Sequence, residues 1–242
     1  MIDRRAAVPF LAFLAMAAPA FGADTSHRLI HKSSTQLAPF QAGGTIRVNH
    51  SFGELWVEGW DRPEVEIALT KSPYELYGAK DDGAARIADN AKVTVNRRSD
   101  GELEISTSVA HFSRWLHPLS EGGDLMMEYR IRAPRNAKLV IHHKDGTVLV
   151  SNMLGDIEAT GRSGDLVVLL PEGGKYAIDA KSQLGTLSSD FDGAFHHVLW
   201  RSGFRLEAPA PAQRIRLRVT VGGIEIKGSP KEAQAPAGAA MQ

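Results

Sequence analysis

One short phrase, repeated along the chain, limits what this sequence can fold into. A glycine followed by alternating polar and apolar residues occurs at Gly146, Gly155 and Gly164, which lie nine residues apart. The same pattern begins again at Gly53, Gly101, Gly185 and Gly223. Because a five-residue strand cannot bury its apolar side alone, the repeat predicts equivalent strands stacked side by side, with glycine turning the corner of each rung. Stacking would join the following residues into one core: Val148, Val150, Ile157, Leu166 and Val168.

Most of the remaining chain shows the two-residue apolar period of a half-buried strand. The clearest segments before residue 138 are 45–50, 53–60, 64–71, 92–98, 102–109 and 126–133. Only residues 81–91 have a helix-like spacing, and that segment is short. The sequence therefore predicts an all-β protein, built as a β-solenoid-like domain of stacked short strands.

The first 23 residues are typical of a cleavable secretory signal peptide. Arg4 and Arg5 precede an apolar run over residues 6–18, and small residues follow, with cleavage after Gly22 or Ala23. No later segment approaches the roughly 20 apolar residues that a membrane-spanning helix needs. We therefore expect a periplasmic or secreted protein whose mature chain has no transmembrane segment.

The mature chain is expected to form one β domain over residues 24–228, followed by a disordered Pro/Ala-rich tail over residues 229–242. The sequence contains no cysteine, so neither a disulfide nor a lipoprotein attachment site is expected, and stability must come from core burial. Its 28 basic and 28 acidic residues balance. Such a balance gives no general attraction to nucleic acid, which is excluded as an expected partner.

Several of these segments, taken in order, resemble the bacterial β-strand-repeat proteins known as putative adhesins, of the toast-rack group. The resemblance lies in GELWVEGWDRPEVEIALTK (53–71), LVIHHKDGTVLVSNMLGDIEATGRSGDLVVLLP (139–171), YAIDAKSQLGTLSSDF (176–191) and TVGGIEIKG (220–228). It implies a twisted array of short stacked strands, on exported or envelope-associated proteins, with no established chemistry. Relatives of the group also act in envelope-stress systems, so the resemblance implies a regulatory role as readily as attachment.

Catalytic chemistry has one candidate, a pair of carboxylates. Asp156 and Asp165 follow Gly155 and Gly164 at equivalent positions, so stacking could bring them together as in a solenoid-type glycan-active enzyme. The alternative is that both lie at solvated turns, and we favour it because perturbed pairs are the exception among surface carboxylates. No nucleophile elbow and no phosphate-binding loop occurs. We therefore expect a protein that is not an enzyme.

Metal and cofactor sites are not expected either. The segment SSDFDG (188–193) imitates the start of a calcium loop, but Leu199 stands where the bidentate glutamate should be. The neighbouring pairs His142-His143 and His196-His197 would point to opposite faces of a strand, giving each face at most one ligand from each pair.

A binding surface has the better support. Arg214, Arg216 and Arg218 alternate with apolar residues and would therefore share one face of a strand, within about 14 Å, where they could bind phosphates or carboxylates. The alternative is an ordinary polar face in which these arginines pair with acids such as Glu225.

Aromatic residues give a second candidate contact. Phe112 and Trp115 fall in a long break over residues 111–124, where an exposed loop could contact sugar or protein, whereas Trp56 lies in an alternating strand and is expected in the core.

Together these features predict an exported, non-enzymatic structural or interaction module of the cell envelope. It would bind an envelope protein or an anionic glycan or lipid through its strand faces and loops. Envelope-stress sensing and, less favoured, glycan processing remain the alternatives. An exposed terminal strand also leaves open a homo-oligomer formed edge to edge.

Overall fold

The computed structural model describes residues 32–41, 43–73, 91–98, 101–109 and 125–229. The predicted signal peptide, the predicted tail beyond Ser229, most of the helix-like segment and the loop with Phe112 and Trp115 lie outside these residues. No helix in the described part is long and apolar enough to cross a membrane.

The described chain folds into strands without a helix, which confirms the all-β prediction. The first nine strands are β1 (Lys32–Pro39), β2 (Thr45–Phe52), β3 (Glu54–Trp60), β4 (Glu64–Pro73), β5 (Ala91–Arg97), β6 (Glu102–Val109), β7 (Leu125–Pro134), β8 (Lys138–Asp145) and β9 (Val148–Ser151). The others are β10 (Ile157–Ser163), β11 (Leu166–Pro171), β12 (Tyr176–Leu184), β13 (Leu187–Ser189), β14 (Ala194–Val198), β15 (Arg201–Glu207), β16 (Gln213–Val221) and β17 (Ile224–Ser229).

The strands form two stacked sheets. Sheet A has the order β1-β4-β7-β3-β9-β11-β17-β13, and sheet B has the order β14-β15-β12-β16-β10-β8-β2-β6-β5. Pairing is parallel through the middle of both sheets and antiparallel only toward their ends. Buried side chains from both sheets join in one hydrophobic core.

Each rung of the stack consists of one strand of sheet B followed by one strand of sheet A. The chain passes in this way from β2 to β3, β8 to β9, β10 to β11, β12 to β13 and β16 to β17. Gly146 and Gly164, at the same corner of adjacent rungs, are therefore 18 residues apart along the chain. The nine-residue phrase is half a rung, and successive phrases lie in opposite sheets.

The rungs do not stack in chain order. The β16–β17 rung lies between the β10–β11 and β12–β13 rungs, because β16 pairs with both β10 and β12, and β17 with both β11 and β13. After β13 the chain forms the antiparallel β14–β15 hairpin on β12, and residues 208–212 then bring it back to the open place in the stack. A simple sequential solenoid is therefore not what forms.

Alternation along the strands sets the core, as predicted. The five residues expected to pool their side chains are all at most 2% exposed: Val148, Val150, Ile157, Leu166 and Val168. In contrast, every residue of β14 is exposed.

Glycines turn the corner from sheet B to sheet A. Gly53, Gly146, Gly164 and Gly185, with Gly222, all have positive φ, between 107° and 153°. A Cβ atom on Gly146 would collide with the carbonyl oxygen of Gly53, and one on Gly164 would collide with that of Gly146. The stacked corner positions thus require glycine both for their backbone conformation and for the close approach of neighbouring rungs.

The other predicted corner glycines differ. Gly222 rather than Gly223 occupies the corner, Gly155 lies at the opposite edge against Ala137, and Gly101 faces open space.

Candidate functional site

Basic side chains gather at one end of the outer face of sheet B. Lys144, Arg162, Lys181 and Arg201 are exposed and lie on β8, β10, β12 and β15, and we call these four residues the basic band. Only β16 intervenes, between β10 and β12, so the band crosses five adjacent strands, about 19 Å at the usual strand spacing.

Two members of the band, Lys144 and Arg162, arise from one position of the rung. Lys144 and Arg162 each stand two residues before a corner glycine, where alternation directs the side chain outward. The strands pair so that His143 is opposite Gly161, which places Lys144 beside Arg162. Lys181 pairs in register with Arg218 of β16.

The basic band keeps its positive charge. Within the part of the chain that the structure describes, its four side chains form no ion pair with a carboxylate. The nearby carboxylate of Asp179 is occupied by Arg218, which also donates to the Asp179 carbonyl at 2.7 Å. Partial burial opposes ionisation of Asp179, but its pKa is nevertheless lowered, because the hydrogen bond and charge of Arg218 outweigh burial, with help from Lys181 and Arg205.

The outward residues nearer the start of these strands have a different pattern. From β15 to β10 their charges alternate in sign from one strand to the next, and the uncharged Val140 of β8 then interrupts the series. In register they are Arg205, Asp179, Arg216 and Glu158, then Val140, Arg47 and Glu104.

The three arginines predicted to share a strand face do so. Arg214 and Arg216 are exposed and Arg218 is half-buried, all on the outer side of β16. The acid suggested as a partner, Glu225, lies instead in sheet A and pairs with Lys227 at 2.9 Å.

Two shallow grooves cross this face beside β16. The smaller groove, about 310 Å³, is lined by Arg214, Arg216 and Glu158, and also by the small side chain of Ala177 on β12. The larger, about 790 Å³, borders the basic band and includes Lys181 and Arg201.

The predictions for the aromatic residues have different outcomes. Phe112 and Trp115 fall outside the described residues, so their contact role stays a prediction. Trp56 was expected in the core, and this was wrong: it is 39% exposed on the outer face of sheet A, with the Arg130 guanidinium 5.0 Å from its ring centroid. Alternation explains the difference, because Leu55 and Val57 take the inward positions of β3.

The candidate catalytic carboxylates are not brought together. Asp156 lies just before β10 and Asp165 just after it, so a seven-residue strand of about 23 Å separates them. Each accepts a backbone N–H from the β16–β17 rung, from Arg214 at 2.8 Å and from Gly223 at 2.7 Å. Both carboxylates therefore tie rungs together.

The calcium-like segment also has a structural role. Asp190 accepts the N–H of Gly228 at 3.0 Å, and the N–H of Phe191 donates to Ser189 at 3.1 Å. Among the residues that the structure describes, no three His, Asp or Glu side chains are grouped to hold a metal ion.

Sequence reasoning missed a buried histidine pair. His50 and His143 stack with ring centroids 5.0 Å apart, and the edge of Tyr129 contacts His50. Nδ1 of His50 lies 3.0 Å from the hydroxyl of Thr107. A usable signal existed, because both histidines stand three residues before a corner glycine, an inward position of the rung.

Burial of this pair changes its protonation. Desolvation, aided by His143, lowers the pKa of His50 to about 4. Desolvation also lowers the pKa of His143. Both rings are therefore neutral at pH 7 and suited to packing within the stack.

Comparison with known proteins supports the fold. No family model matches this chain, and no curated protein matches it. A solved structure of a "putative cell adhesion protein" from Clostridium sporogenes is 12% identical, with a TM-score of 0.51, and the match covers 82% of this chain and 100% of that one. A "putative adhesin" from Bacteroides fragilis is 10% identical, with a TM-score of 0.26, and the match covers 81% of this chain and 97% of that one. The C. sporogenes structure thus confirms, at the level of the fold, the resemblance to putative adhesins that the sequence showed.

Proposed function

We propose that this protein is an exported, non-enzymatic interaction module of the cell envelope that binds an anionic partner through the outer face of sheet B. The observation that carries the proposal is the basic band, whose four exposed cations lie within five adjacent strands of one sheet and form no ion pair with a carboxylate of the described residues. Phosphate or carboxylate groups of a ligand would supply the missing partners.

The fold favours binding over catalysis. Lys144, Arg162 and Lys181 are held by parallel strands whose inward residues are buried, so little backbone freedom is lost when a ligand binds. The one carboxylate pair considered for glycan cleavage is separated along β10. A role in attachment also accords with the description of the C. sporogenes protein that shares this fold.

A polyanion-binding experiment tests the proposal. Titration of the purified protein with dextran sulfate, and with neutral dextran as the blank, should show binding to the sulfated polymer alone and weakening with salt. Replacing Lys144, Arg162, Lys181 and Arg201 together by glutamine should lower the affinity by about tenfold or more.

A matched pair of variants separates the position of charge from its amount. Lys144→Gln with Lys181→Gln should weaken binding, whereas Lys92→Gln with Lys175→Gln, which removes the same charge from exposed sites elsewhere, should leave it within about twofold. Equal losses in both variants would show that the band is not the binding site.

A further inference from the structure

Exposed apolar side chains cluster beside the basic band. They lie at the turn between β14 and β15 and at the adjoining ends of β12 and β16, and we call them the apolar tip. Its members, with their exposed fractions, are Leu184 (48%), Val198 (65%), Leu199 (76%), Trp200 (68%) and Val221 (46%).

The strand register brings these residues together. Val198 pairs with Arg201 across the hairpin, which leaves Leu199 and Trp200 as a two-residue turn. Ser182 pairs with Ser202, so the turn projects beside Leu184, which itself pairs with Val221. One continuous apolar surface results at the corner end of the stack.

The turn carries an unusual residue for its conformation. Leu199 has φ of 54°, a region that two-residue hairpin turns normally fill with glycine or asparagine. A leucine held there costs free energy and, at 76% exposure, gains no packing within the protein. Strain of this kind in an exposed leucine points to a contact outside the chain.

The charges around the tip identify the contact. The hairpin residues nearest the turn, 196–203, include no aspartate or glutamate but contain Arg201 and two histidines, whereas Arg205, toward the other end of β15, pairs with Glu207 at 2.8 Å. An apolar tip with tryptophan, flanked by cations, matches the boundary between acyl chains and anionic headgroups of a bilayer. A second copy of this chain fits less well, since it would bring the same cations together.

We infer that the apolar tip enters the headgroup boundary of an anionic lipid bilayer while the basic band contacts the lipid phosphates. The inference rests on the proposed function, since the same band supplies the charge. It adds one requirement, namely that the apolar side chains contribute to lipid binding and not to binding of a water-dissolved polyanion.

Vesicle sedimentation tests the inference. The protein should bind vesicles of phosphatidylglycerol mixed with phosphatidylcholine and bind pure phosphatidylcholine at least about tenfold more weakly. Leu199→Ser with Trp200→Ser should reduce binding to the anionic vesicles by about tenfold or more. The control Leu37→Ser with Leu154→Ser changes residues that are 60% and 50% exposed elsewhere, and should bind like the unchanged protein.

A second measurement does not depend on loss of binding. Brominated acyl chains should quench the tryptophan fluorescence of the bound protein, and Trp200→Phe should remove most of that quenching while binding persists.

The outcomes separate the two proposals. Loss of vesicle binding in the Leu199/Trp200 variant, with dextran sulfate binding intact, supports both. Dextran sulfate binding without vesicle binding by the unchanged protein overturns the membrane inference and leaves the proposed function standing. Binding of neither probe overturns both. If the tip variant instead binds vesicles normally but breaks up a dimer in sedimentation velocity, the tip is a self-association surface and the inference fails.

Discussion

The central rungs and the β14–β15 hairpin both contain residues with positive φ, but they differ in the space that they leave for a side chain. At the central corners a neighbouring rung leaves no room for a side chain, so the positive-φ position is glycine, as at Gly146 and Gly164. At the end of the stack the positive-φ position is Leu199, whose side chain is exposed. The comparison shows that close stacking limits the central corners to glycine, whereas the hairpin at the end of sheet B leaves room for an exposed apolar side chain.

The largest effect is expected from filling a central corner. Gly164→Ala would both force an alanine into positive φ and drive its Cβ into the carbonyl of Gly146, so we expect a loss of about 4 kcal/mol or more, measured by urea denaturation. The matched control is Gly173→Ala. Gly173 has φ of 75° with open space around it, so only the backbone cost of about 1 kcal/mol should appear. Similar losses in both variants would mean that close stacking of the rungs does not determine the glycine requirement.

The second-largest expected effect is a pH dependence of stability, which arises from the buried histidine pair. An unfolded histidine titrates near pH 6.5, but folded His50 has a pKa of about 4, so between these values the unfolded chain binds a proton that the folded chain does not. Stability should therefore fall as the pH is lowered from 6.5 to 4, by about 3 kcal/mol from His50 alone. The measurement is the unfolding free energy at a series of pH values.

Two variants sharpen this test. His50→Gln removes the titrating group and should flatten the pH dependence, leaving the contribution of His143. His142→Gln removes an exposed histidine from the strand that carries His143 and is the control for loss of a histidine side chain as such. An unaltered slope in His50→Gln would show that the buried pair does not govern acid sensitivity.

The same contrast between middle and end separates what the sequence could predict from what it could not. Alternation of apolar and polar residues is a local property, so the sequence could predict which side chains share a face. It predicted the buried faces of β9, β10 and β11, the shared face of Arg214, Arg216 and Arg218, and most corner glycines. The length of the phrase does not by itself show whether one phrase forms a whole rung or half of one, and only a whole rung would make Asp156 and Asp165 neighbours. Once a rung is taken as two strands, the same sequence places them at opposite ends of β10.

The order of the rungs depends on packing between distant segments and has no local signal. No pattern in β16 indicates that it lies between β10 and β12, and the basic band and the apolar tip both depend on that placement. The histidine pair lies between these two cases, since part of its signal is local. His50 and His143 share a position relative to their corner glycines, so aligning the rungs would have predicted their contact, although 93 residues separate them in the chain.

The smallest expected effect lies at the hairpin, where stability and binding should change in opposite directions. Leu199→Gly relieves the positive-φ cost but makes the unfolded chain more flexible, so we expect a net gain of about 0.5 kcal/mol, together with weaker binding to phosphatidylglycerol vesicles. Ala210→Gly is the matched control, because Ala210 also has positive φ, 50°, and is exposed in the connection between β15 and β16. It should gain stability similarly while vesicle binding stays the same. If Leu199→Gly bound vesicles as well as the unchanged protein did, the exposed leucine at the end of sheet B would have no role in lipid binding, and its positive φ would have no connection with the proposed membrane contact.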